Sequence, residues 1–572
     1  MKLNFATLHN TIKQHGNGIF AHEKINGAIR EYSWADLQRD YLKLASFIKP
    51  LSTQTPKVAI MANACYGWTL ADFATQALGG ISIGLYANDR DSVLLHNIEL
   101  TKPDLFIVEN DQLLNKIQTL YPQAGWHIPV IVMYSQQQNK APVYSLDSIL
   151  SAPTDDEKIA TIAAQIEDLN NQQAASYIFT SGTTGFPKAV VLSLQNMLTS
   201  AHTYARYYPV TQSDSTILYL PFSHVFARVM FYASVLWGQK HVYVNNIDNL
   251  VTELPEISPS VFLAVPRLLE KVVSKIQAKV ASAPLWKRLL VRWAFAQADK
   301  NPQRENANWQ LKLADRLVFS AMRSAFGKNL RFMGSGGGKL PHQVTDFFAR
   351  IGIPIYEGYA TTESGGFGIF NYPGQWRSGY IGKTVEPMQV KIAEDGELLL
   401  NSPANCLGYL EKDGSITPVC TQGWLATGDI ARNDDGYLAI IDRKKDIMVT
   451  AYGKNIAPSW IESQLISQPE IDDAVIIGDG LAFLSALIVP ADTSPTAVNA
   501  IKEAINRVNK NLSRHEQIRQ HLIVPAFDIE SGTITSTYKK RRAEITRHYQ
   551  QAIDDIYQNT TAATSTNQLE PA

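Results

Sequence analysis

The sequence has little cysteine, no long uninterrupted apolar run and almost no net charge. Cys65, Cys406 and Cys420 are the only cysteines among 572 residues, too few and too scattered for a disulfide framework, so a reducing compartment is expected. No window reaches the roughly 18 consecutive apolar residues that a membrane-spanning helix needs. The 52 basic and 53 acidic residues leave a net charge of −1, which excludes a global field that attracts nucleic acid.

Size and composition indicate a multidomain globular protein. A chain of 572 residues exceeds what a single hydrophobic core usually supports. Its 45% hydrophobic and 18% charged residues exclude a disordered or collagen-like chain. Because no basic segment followed by an apolar run opens the sequence, no signal peptide is predicted and a cytoplasmic protein is expected.

Strand-like and helix-like segments alternate through the first 400 residues. Residues 58–61, 66–78 and 81–86 read as strand, helix and strand, a predicted βαβ unit of a parallel sheet. Asp-Gly turns in residues 395–437 predict a β-rich subdomain. We therefore predict an α/β fold with a large N-terminal domain of parallel or mixed sheets and helices, a β-rich subdomain, and a small mobile α+β C-terminal domain.

Changes in composition along the chain also predict where its domains end. Residues 1–441 are expected to form the N-terminal domain and residues 442–558 the C-terminal domain, with a hinge at the charged run 443–446. Residues 559–572 are rich in Thr, Ala, Ser, Asn and Gln without apolar periodicity, so a disordered tail or linker is predicted there.

One basic segment admits two interpretations. Residues 285–295 combine Lys287, Arg288 and Arg292 with tryptophan and leucine at near-helical spacing. Such a helix either rests on a membrane surface or packs its apolar face on the same chain.

The most informative run is YIFTSGTTGFPKAVVLS at residues 177–193, in which a strand enters a loop of small and hydroxyl side chains. Glycines let backbone N–H groups approach an anion, and hydroxyls and a lysine add donors, so the loop is predicted to cradle phosphate. It is not a Walker A loop, because Pro187 stands where the second glycine is needed. The candidate phosphate-binding residues are Thr180, Ser181, Gly182, Thr183, Thr184, Gly185 and Lys188.

Further blocks follow this loop in order. They are LPFSHVFAR (220–228), VPRLLEK (265–271), GSGGGKL (334–340), EGYATTESGG (357–366), GWLATGD (423–429), DRKKDIMVTAYGKNIAPSWIE (442–462) and TSTYKKRR (535–542). With the phosphate loop they resemble the adenylate-forming superfamily of acyl-CoA synthetases, peptide-synthetase adenylation domains and luciferases. LPFSHVFAR, VPRLLEK and the basic tryptophan-rich region are similar to the long-chain fatty acyl-CoA synthetase branch.

The resemblance implies catalytic roles for three residues. Lys539 matches the adenylation lysine, which contacts both the acid and the α-phosphate; a positioned ammonium there stabilises two converging anions. Thr362 is implied to touch the α-phosphate, and Glu363 to hold Mg²⁺ together with Thr180, since hard oxygen ligands suit that ion.

Other positions acquire binding roles by the same resemblance. The implied adenine slot consists of Gly336, Gly337, Gly338, Glu357, Gly358 and Tyr359. Asp429 and Arg443 match residues near the ribose, and Lys445 matches the hinge. His224 matches an acyl-pocket residue, and Gly453 and Lys454 match a loop beside the thiol tunnel. Lys540, Arg541 and Arg542 are interpreted as a basic surface patch.

The implied activity has two steps: MgATP and a medium- or long-chain fatty acid give an acyl-adenylate and pyrophosphate, and coenzyme A then gives a thioester and AMP. One alternative transfers the acyl group to the phosphopantetheine of an acyl carrier protein, and a remoter one is a noncatalytic nucleotide- or lipid-binding scaffold. A serine hydrolase is disfavoured, because Gly334-Ser335-Gly336 lacks the nucleophile-elbow spacing. No nucleic-acid partner is expected, and weak peripheral contact with the inner face of a membrane is an open alternative; chain length, acceptor and oligomeric state are not determined.

Overall fold

The chain folds into two compact units. The computed structural model describes residues 3–25, 27–52, 55–122, 127–135, 141–180, 186–245, 247–301, 308–366, 368–492, 497–535 and 539–565, with side chains throughout except at 247, 248, 497 and 559–565. The larger unit comprises Met1–Ala87, Asp91–Thr427 and Arg432–Ile440; the smaller comprises Asn88–Arg90, Gly428–Ala431 and Ile441–Ala572.

Helices occur in both units. Those of the larger unit are α1 (Phe5–His15), α2 (Trp34–Ile48), α3 (Tyr66–Ala77), α4 (Asp91–Thr101), α5 (Asp111–Leu120), α6 (Leu146–Ser151), α7 (Asp156–Gln165), α8 (Leu194–Tyr207), α9 (Val225–Leu236), α10 (Ile247–Ile257), α11 (Pro266–Ala281), α12 (Leu285–Asp299), α13 (Trp309–Ala314), α14 (Ser320–Arg323) and α15 (His342–Ile351). Those of the smaller unit are α16 (Pro458–Ile466), α17 (Ala497–Asn509), α18 (Arg542–His548) and α19 (Gln550–Ser565). A π-helical segment, Asp315–Phe319, continues α13. No helix in the described part of the chain is long and apolar enough to cross a membrane.

The strands are, in chain order, β1 (Ile19–Ile25), β2 (Ala28–Ser33), β3 (Lys57–Met61), β4 (Ile81–Leu85), β5 (Leu105–Asn110), β6 (Val130–Tyr134), β7 (Val143–Ser145), β8 (Ala174–Thr180), β9 (Lys188–Ser193), β10 (Ser215–Leu218), β11 (Lys240–Tyr243), β12 (Val261–Ala264), β13 (Phe332–Ser335), β14 (Ile355–Tyr359), β15 (Ile369–Phe370), β16 (Lys383–Thr384), β17 (Gln389–Ile392), β18 (Glu397–Asn401), β19 (Gly408–Leu410), β20 (Ile416–Thr417), β21 (Cys420–Thr421), β22 (Trp424–Asp434), β23 (Tyr437–Arg443), β24 (Met448–Val449), β25 (Asn455–Ile456), β26 (Ile471–Ile477), β27 (Leu484–Pro490) and β28 (Ile518–Ile523).

Two nine-stranded sheets dominate the larger unit. Sheet A has the order β16-β15-β14-β13-β12-β10-β11-β1-β2 and is parallel from β14 to β1. Sheet B has the order β20-β19-β9-β8-β4-β3-β5-β6-β7 and is parallel from β8 to β7. The predicted βαβ unit is confirmed as β3, α3 and β4, with β3 parallel to β4 from Lys57 opposite Ile81 to Met61 opposite Leu85. The α/β prediction for this part of the chain is correct.

Helix α9 lies between the two sheets. Its Arg228 is fully buried, donates to Phe222 O at 3.1 Å and to Ser176 Oγ on β8, and lies 3.9 Å from Asp72 Oδ1 on α3. Asp72 in turn accepts from Tyr232 on α9 at 2.7 Å. This buried network accounts for the arginine of the LPFSHVFAR block, because a buried charge needs such partners.

The predicted β-rich subdomain is a five-stranded sheet. Its order is β17-β18-β22-β21, and β23 pairs with β22. In the smaller unit, β26, β27 and β28 form a sheet with a buried core that includes Ile476 and Ile488. The predicted small α+β domain thus has the expected kind of fold.

The C-terminal segment differs from its prediction. Helices α18 and α19 meet at Tyr549. Residues 559–565, expected in a disordered tail or linker, are the last turns of α19, and 566–572 lie outside the described residues.

Candidate active site

The phosphate loop connects two antiparallel strands of sheet B. Thr180 ends β8 and lies opposite Lys188, which begins β9. The loop is therefore the turn of a β-hairpin, and its two described ends stand side by side. Ser181, Gly182, Thr183, Thr184 and Gly185 lie outside the described residues.

The loop that carries Thr362 and Glu363 is held by a network of short hydrogen bonds. Thr361 and Ser364 bond reciprocally, backbone N–H to side-chain oxygen, at 3.0 Å in both directions. Helix α8 fixes the far side of the loop, since Ser200 Oγ donates to Gly365 O at 2.9 Å. This bonding makes the loop a stable platform for its two candidate residues.

One tyrosine joins the Glu363 loop to the phosphate hairpin. Tyr409 on β19 pairs with Val190 of β9, and its hydroxyl donates to Glu363 Oε1 at 2.8 Å. Lys188 Nζ lies 4.5 Å from the centre of the same ring. The structure therefore brings Lys188 and Glu363 to one place and adds Tyr409, which the sequence motifs do not identify. Tyr409 is recognisable only from strand pairing.

The glycine segment 336–338 follows the carboxyl end of β13, beside the end of β14. Ser335 pairs with Glu357 in the parallel sheet, which places Gly358 and Tyr359 next to the segment. A Cβ atom at Gly336 would lie 3.3 Å from Phe226 Cζ and 3.4 Å from Gly358 O, so glycine permits this close approach. The carboxyl ends of parallel strands are where α/β sheets bind ligands.

Glu357 is buried beneath this edge. Burial raises its pKa from 4.5 to about 8, against a smaller lowering by the hydroxyl of Thr345, which donates to Oε1 at 3.0 Å. The side chain is therefore mainly protonated near neutral pH. The buried carboxyl group of Glu357 packs beneath the carboxyl edge of sheet A.

A narrow, mostly apolar cavity runs from this edge between sheet A and helices α8 and α9. Its lining on α9 is Phe226, Met230 and Ser234, spaced four residues apart on one face. The strands contribute residues two apart, which lie on one face of the sheet. These are Thr216 and Leu218, Val261 and Leu263, Phe332 and Gly334, and Tyr356 and Gly358. The empty space, counted with its opening to solvent, is about 570 Å³.

The lining of the cavity reaches both edges of sheet A. Ser335 and Gly358 lie at the carboxyl edge, beside the glycine segment. Trp237 and Gln239 lie at the opposite edge, and Trp237 is fixed because its Nε1 donates to Ala205 O at 3.1 Å. From Phe226 to Trp237 the chain rises about 16 Å, which is the length over which it lines the cavity.

His224 does not line this cavity as the structure describes it. Its Nδ1 accepts from Phe226 N at 3.2 Å, so the imidazole caps the amino terminus of α9. Phe226, two residues later, lines the cavity instead. The four-residue spacing in VFARVMFYAS was the available signal for the lining.

In the smaller unit, the candidate ribose residues face each other across the β22–β23 hairpin. Arg443 Nε lies 3.6 Å from Asp429 Oδ1, and Asp429 is buried. Lys445 is exposed in a tight turn in which Asp446 N donates to Arg443 O at 2.9 Å. Asp442 anchors the turn, since Oδ1 accepts from Ser459 Oγ at 2.8 Å at the start of α16.

Lys539 and Lys540 are adjacent, and their environments differ. Lys539 is exposed, and its backbone N donates to Thr535 Oγ1 at 3.1 Å. Lys540 Nζ lies 2.9 Å from Asp473 Oδ1 and 3.5 Å from Glu462 Oε2. Burial alone would lower the pKa of Lys540, but Glu462 and Asp473 raise it above its ordinary value.

Arg542 completes this network, with Nη2 lying 2.6 Å from Glu462 Oε1. Interpreting Lys540 and Arg542 as a surface patch was therefore wrong. The positive charge of Lys540 and Arg542 was recognised from the sequence. Their pairing was missed because the buried carboxylates come from α16 and β26, far away in sequence.

Gly453 and Lys454 lie in the turn between β24 and β25. Thr450 N donates to Lys454 O at 3.0 Å, and Gly453 has a φ of +72°, a conformation that glycine adopts without strain. Tyr452, at the tip of the turn, is 76% exposed.

A Mg²⁺ site fits the donors of the larger unit. The described residues contain no cluster of three or more His, Cys, Asp or Glu side chains. Mg²⁺ bound with nucleotide phosphates needs only one or two protein oxygen ligands, because phosphates and water supply the rest. The hydroxyl of Thr180 and the carboxylate of Glu363 are ligands of the suitable chemical type.

Sequence comparison assigns both parts of the chain to known families. A family described as AMP-binding enzyme matches residues 9–410, and one described as AMP-binding enzyme C-terminal domain matches residues 445–561. The chain is 28% identical over 599 aligned positions to the long-chain-fatty-acid–CoA ligase FadD15 of Mycobacterium tuberculosis, covering 96% of this chain and 98% of the relative.

Solved structures share the fold. An anthranilate CoA ligase, AuaEII, in complex with anthranoyl-AMP superposes with a TM-score of 0.77 at 18% identity, covering 96% of this chain and 98% of the other. The A-PCP didomain of a carboxylic acid reductase from Segniliparus rugosus, in complex with AMP, superposes with a TM-score of 0.75 at 17% identity, covering 99% and 84%. The predicted fold class is therefore confirmed.

Proposed function

The chain belongs to the AMP-binding enzyme family, and on that premise we propose that it activates a medium- or long-chain fatty acid with ATP and transfers the acyl group to coenzyme A. The similarity to FadD15 along nearly the whole chain supports a fatty acid–CoA ligase. The three cysteines are free thiols, which supports a cytoplasmic location.

The observation that carries this proposal is the apolar cavity. One end of its lining lies beside the glycine segment, where the family resemblance puts the nucleotide, and its walls are mainly aromatic and aliphatic. An alkyl chain gains free energy on entering such a cavity, about 0.8 kcal/mol for each buried methylene group. In this arrangement the carboxylate of the acid stays at this end, beside Ser335 and Gly358, and the chain extends along α9 toward Trp237.

The phosphates of ATP would then lie at the hairpin that joins Thr180 and Lys188. Lys188 supplies positive charge, Thr362 a hydroxyl donor and Tyr409 a hydrogen bond that orients Glu363. Mg²⁺, held by Glu363 and Thr180 when bound, would neutralise phosphate charge. In the smaller unit, Asp429 is assigned to the ribose hydroxyls, with Arg443 beside it.

The two half-reactions need different groups from the smaller unit. We assign Lys539 to adenylation, where its ammonium stabilises the converging carboxylate and α-phosphate charges. The turn with Gly453 and Lys454 is assigned to the thiol step. Because both belong to one unit, the proposal includes two successive placements of that unit, with Lys445 in the hinge.

A carrier protein is the alternative acceptor. The similarity of the fold to an A-PCP didomain supports testing it, and the first half-reaction is the same for both acceptors. A noncatalytic scaffold and a serine hydrolase are set aside, because the family to which the chain belongs is one of AMP-binding enzymes.

The test measures AMP and thioester formation from MgATP with fatty acids of increasing length. Coenzyme A and a phosphopantetheinylated acyl carrier protein are offered in parallel, with Lys539→Ala as the control that removes adenylation. Acyl-CoA as the main product is expected. Transfer to the carrier alone would replace the acceptor, and an absence of acid-dependent AMP would overturn the proposed activity.

A further inference from the structure

Large apolar side chains are exposed on two helices that contact each other, α12 and the helix formed by α13 with its π-helical continuation. They are Leu285, Trp286, Leu289, Trp309, Leu313 and Leu317. Trp286 is 62% and Trp309 71% exposed. Trp309, Leu313 and Leu317 are four residues apart, so they form one stripe along their helix. We call these six side chains the apolar face.

The apolar face is not an unfinished core. Both helices also pack against the hydrophobic core of the larger unit, through Leu290 and Trp293 further along α12 and through Leu311 and Val318 on the opposite side of the second helix. The interpretation that the basic helix packs on the same chain holds for its later residues, while the leucine and tryptophan side chains in its first turns are exposed to solvent. Exposed apolar patches of this kind mark interaction surfaces.

Basic residues accompany the apolar face. Lys287, Arg288, Arg292, Lys312 and Arg316 are exposed on the same two helical segments. The acidic residues described there are Asp299, whose Oδ1 lies 2.7 Å from Arg350 Nε, and Asp315, whose Oδ1 lies 2.7 Å from Arg323 Nη1. Because arginines from other segments neutralise both carboxylates, the face has a local positive charge in a chain whose net charge is only −1.

We propose that the apolar face is a docking surface for an anionic lipid bilayer. Leucine and tryptophan side chains insert at the boundary between headgroups and acyl chains, and the flanking lysines and arginines bind anionic headgroups. The charge complementarity favours a lipid surface over a second copy of this chain, since two copies would oppose like charges. This inference does not depend on the proposed catalytic activity.

The test is flotation of the full-length protein with vesicles of phosphatidylcholine, with and without phosphatidylglycerol, at low and high salt. Wild-type protein is expected to float with the anionic vesicles and to be released by salt. Lys287→Gln with Arg288→Gln should weaken binding to anionic vesicles about 30-fold, given about fivefold for each basic residue near the surface. Trp286→Ser with Leu289→Ser should abolish flotation.

Matched controls come from exposed residues elsewhere. Ile29→Ser removes an equally exposed apolar side chain on β2, and Lys412→Glu reverses an exposed charge in the turn after β19; neither should change flotation. Melting temperature, measured for every variant, identifies misfolding. If the serine variant is misfolded, the glutamine pair, whose changes are fully exposed, decides alone. Wild-type protein that stays with neither vesicle, or variants that float as wild type does, would overturn the proposal.

Discussion

Two clusters of charged residues, one in each unit, differ in whether their opposite charges are paired with each other. In the smaller unit, the carboxylate of Glu462 is buried and shared between Lys540 and Arg542. In the larger unit, Glu363 and Lys188 are not paired with each other; the ring and hydroxyl of Tyr409 lie between them. Charges matched internally stabilise a fold. Charges held apart can instead match the charges of a ligand, which is what binding phosphate and Mg²⁺ requires.

The largest effect on activity is expected for substitution of Lys539, and not for substitution of its neighbour Lys540. Lys539→Ala should lower acid-dependent pyrophosphate release about 100-fold or more, because a group that stabilises transition-state charge is lost. Its melting temperature should stay that of the wild type, since the side chain is exposed. Lys540→Met is the comparison variant and should lower the melting temperature. The reverse pattern would show that the catalytic and structural assignments have been exchanged.

Glu462→Gln tests the internally matched cluster. Removing this carboxylate leaves Lys540 and Arg542 without their shared partner, and the free energy of unfolding should fall by about 3 kcal/mol. Chemical denaturation measures the change. Glu470→Gln is the matched control, because its partner Arg507 is 45% exposed and surface pairs contribute about 0–1 kcal/mol. Equal losses of unfolding free energy in both variants would contradict the expected difference between a buried ion pair and an exposed one.

Glu357 makes stability depend on pH. Its folded pKa of about 8 is above its ordinary value of 4.5, so between these values the folded protein holds a proton that the unfolded chain releases. The free energy of unfolding should therefore fall as pH rises through this window, by at most about 1.4 kcal/mol per pH unit. Thermal unfolding at pH 5 to 8 measures the slope, and Glu357→Gln should flatten it. An unchanged slope in that variant would assign the effect to another group.

Tyr409→Phe is expected to have the smallest effect, and it tests the cluster of Glu363, Lys188 and Tyr409 in the larger unit. It keeps the ring near Lys188 and removes only the hydrogen bond to Glu363, so the KM for MgATP should rise up to about tenfold. Steady-state kinetics at saturating fatty acid measures this change. Tyr437→Phe, on β23, removes a weaker 3.4 Å hydrogen bond to Gln375 and should leave the KM unchanged.

The sequence predicted those features that are encoded locally. The βαβ unit at β3–α3–β4 follows from contiguous residues whose spacing determines its structure, whereas the antiparallel pairing of β8 and β9 on either side of the phosphate loop was not predicted. Tyr409 was missed because sheet pairing brings it in from a distant segment, and the carboxylates around Lys540 were missed because side-chain packing of α16 and β26 brings them in. His224 was assigned by resemblance to the pocket, whereas its ring caps α9. Composition likewise could not show that the polar segment 559–565 continues a helix.

The central claim is that the cavity along α9 holds the acyl chain. Met230 lies midway along its wall, so Met230→Trp should fill the half toward Trp237, while Met230→Leu preserves the volume. The decisive measurement is the rate of acid-dependent AMP formation across fatty acids of increasing length. The tryptophan variant should lose activity with the longest acids and keep it with the shortest, and the leucine variant should follow the wild type. An unchanged length profile in Met230→Trp would show that the acyl chain binds elsewhere.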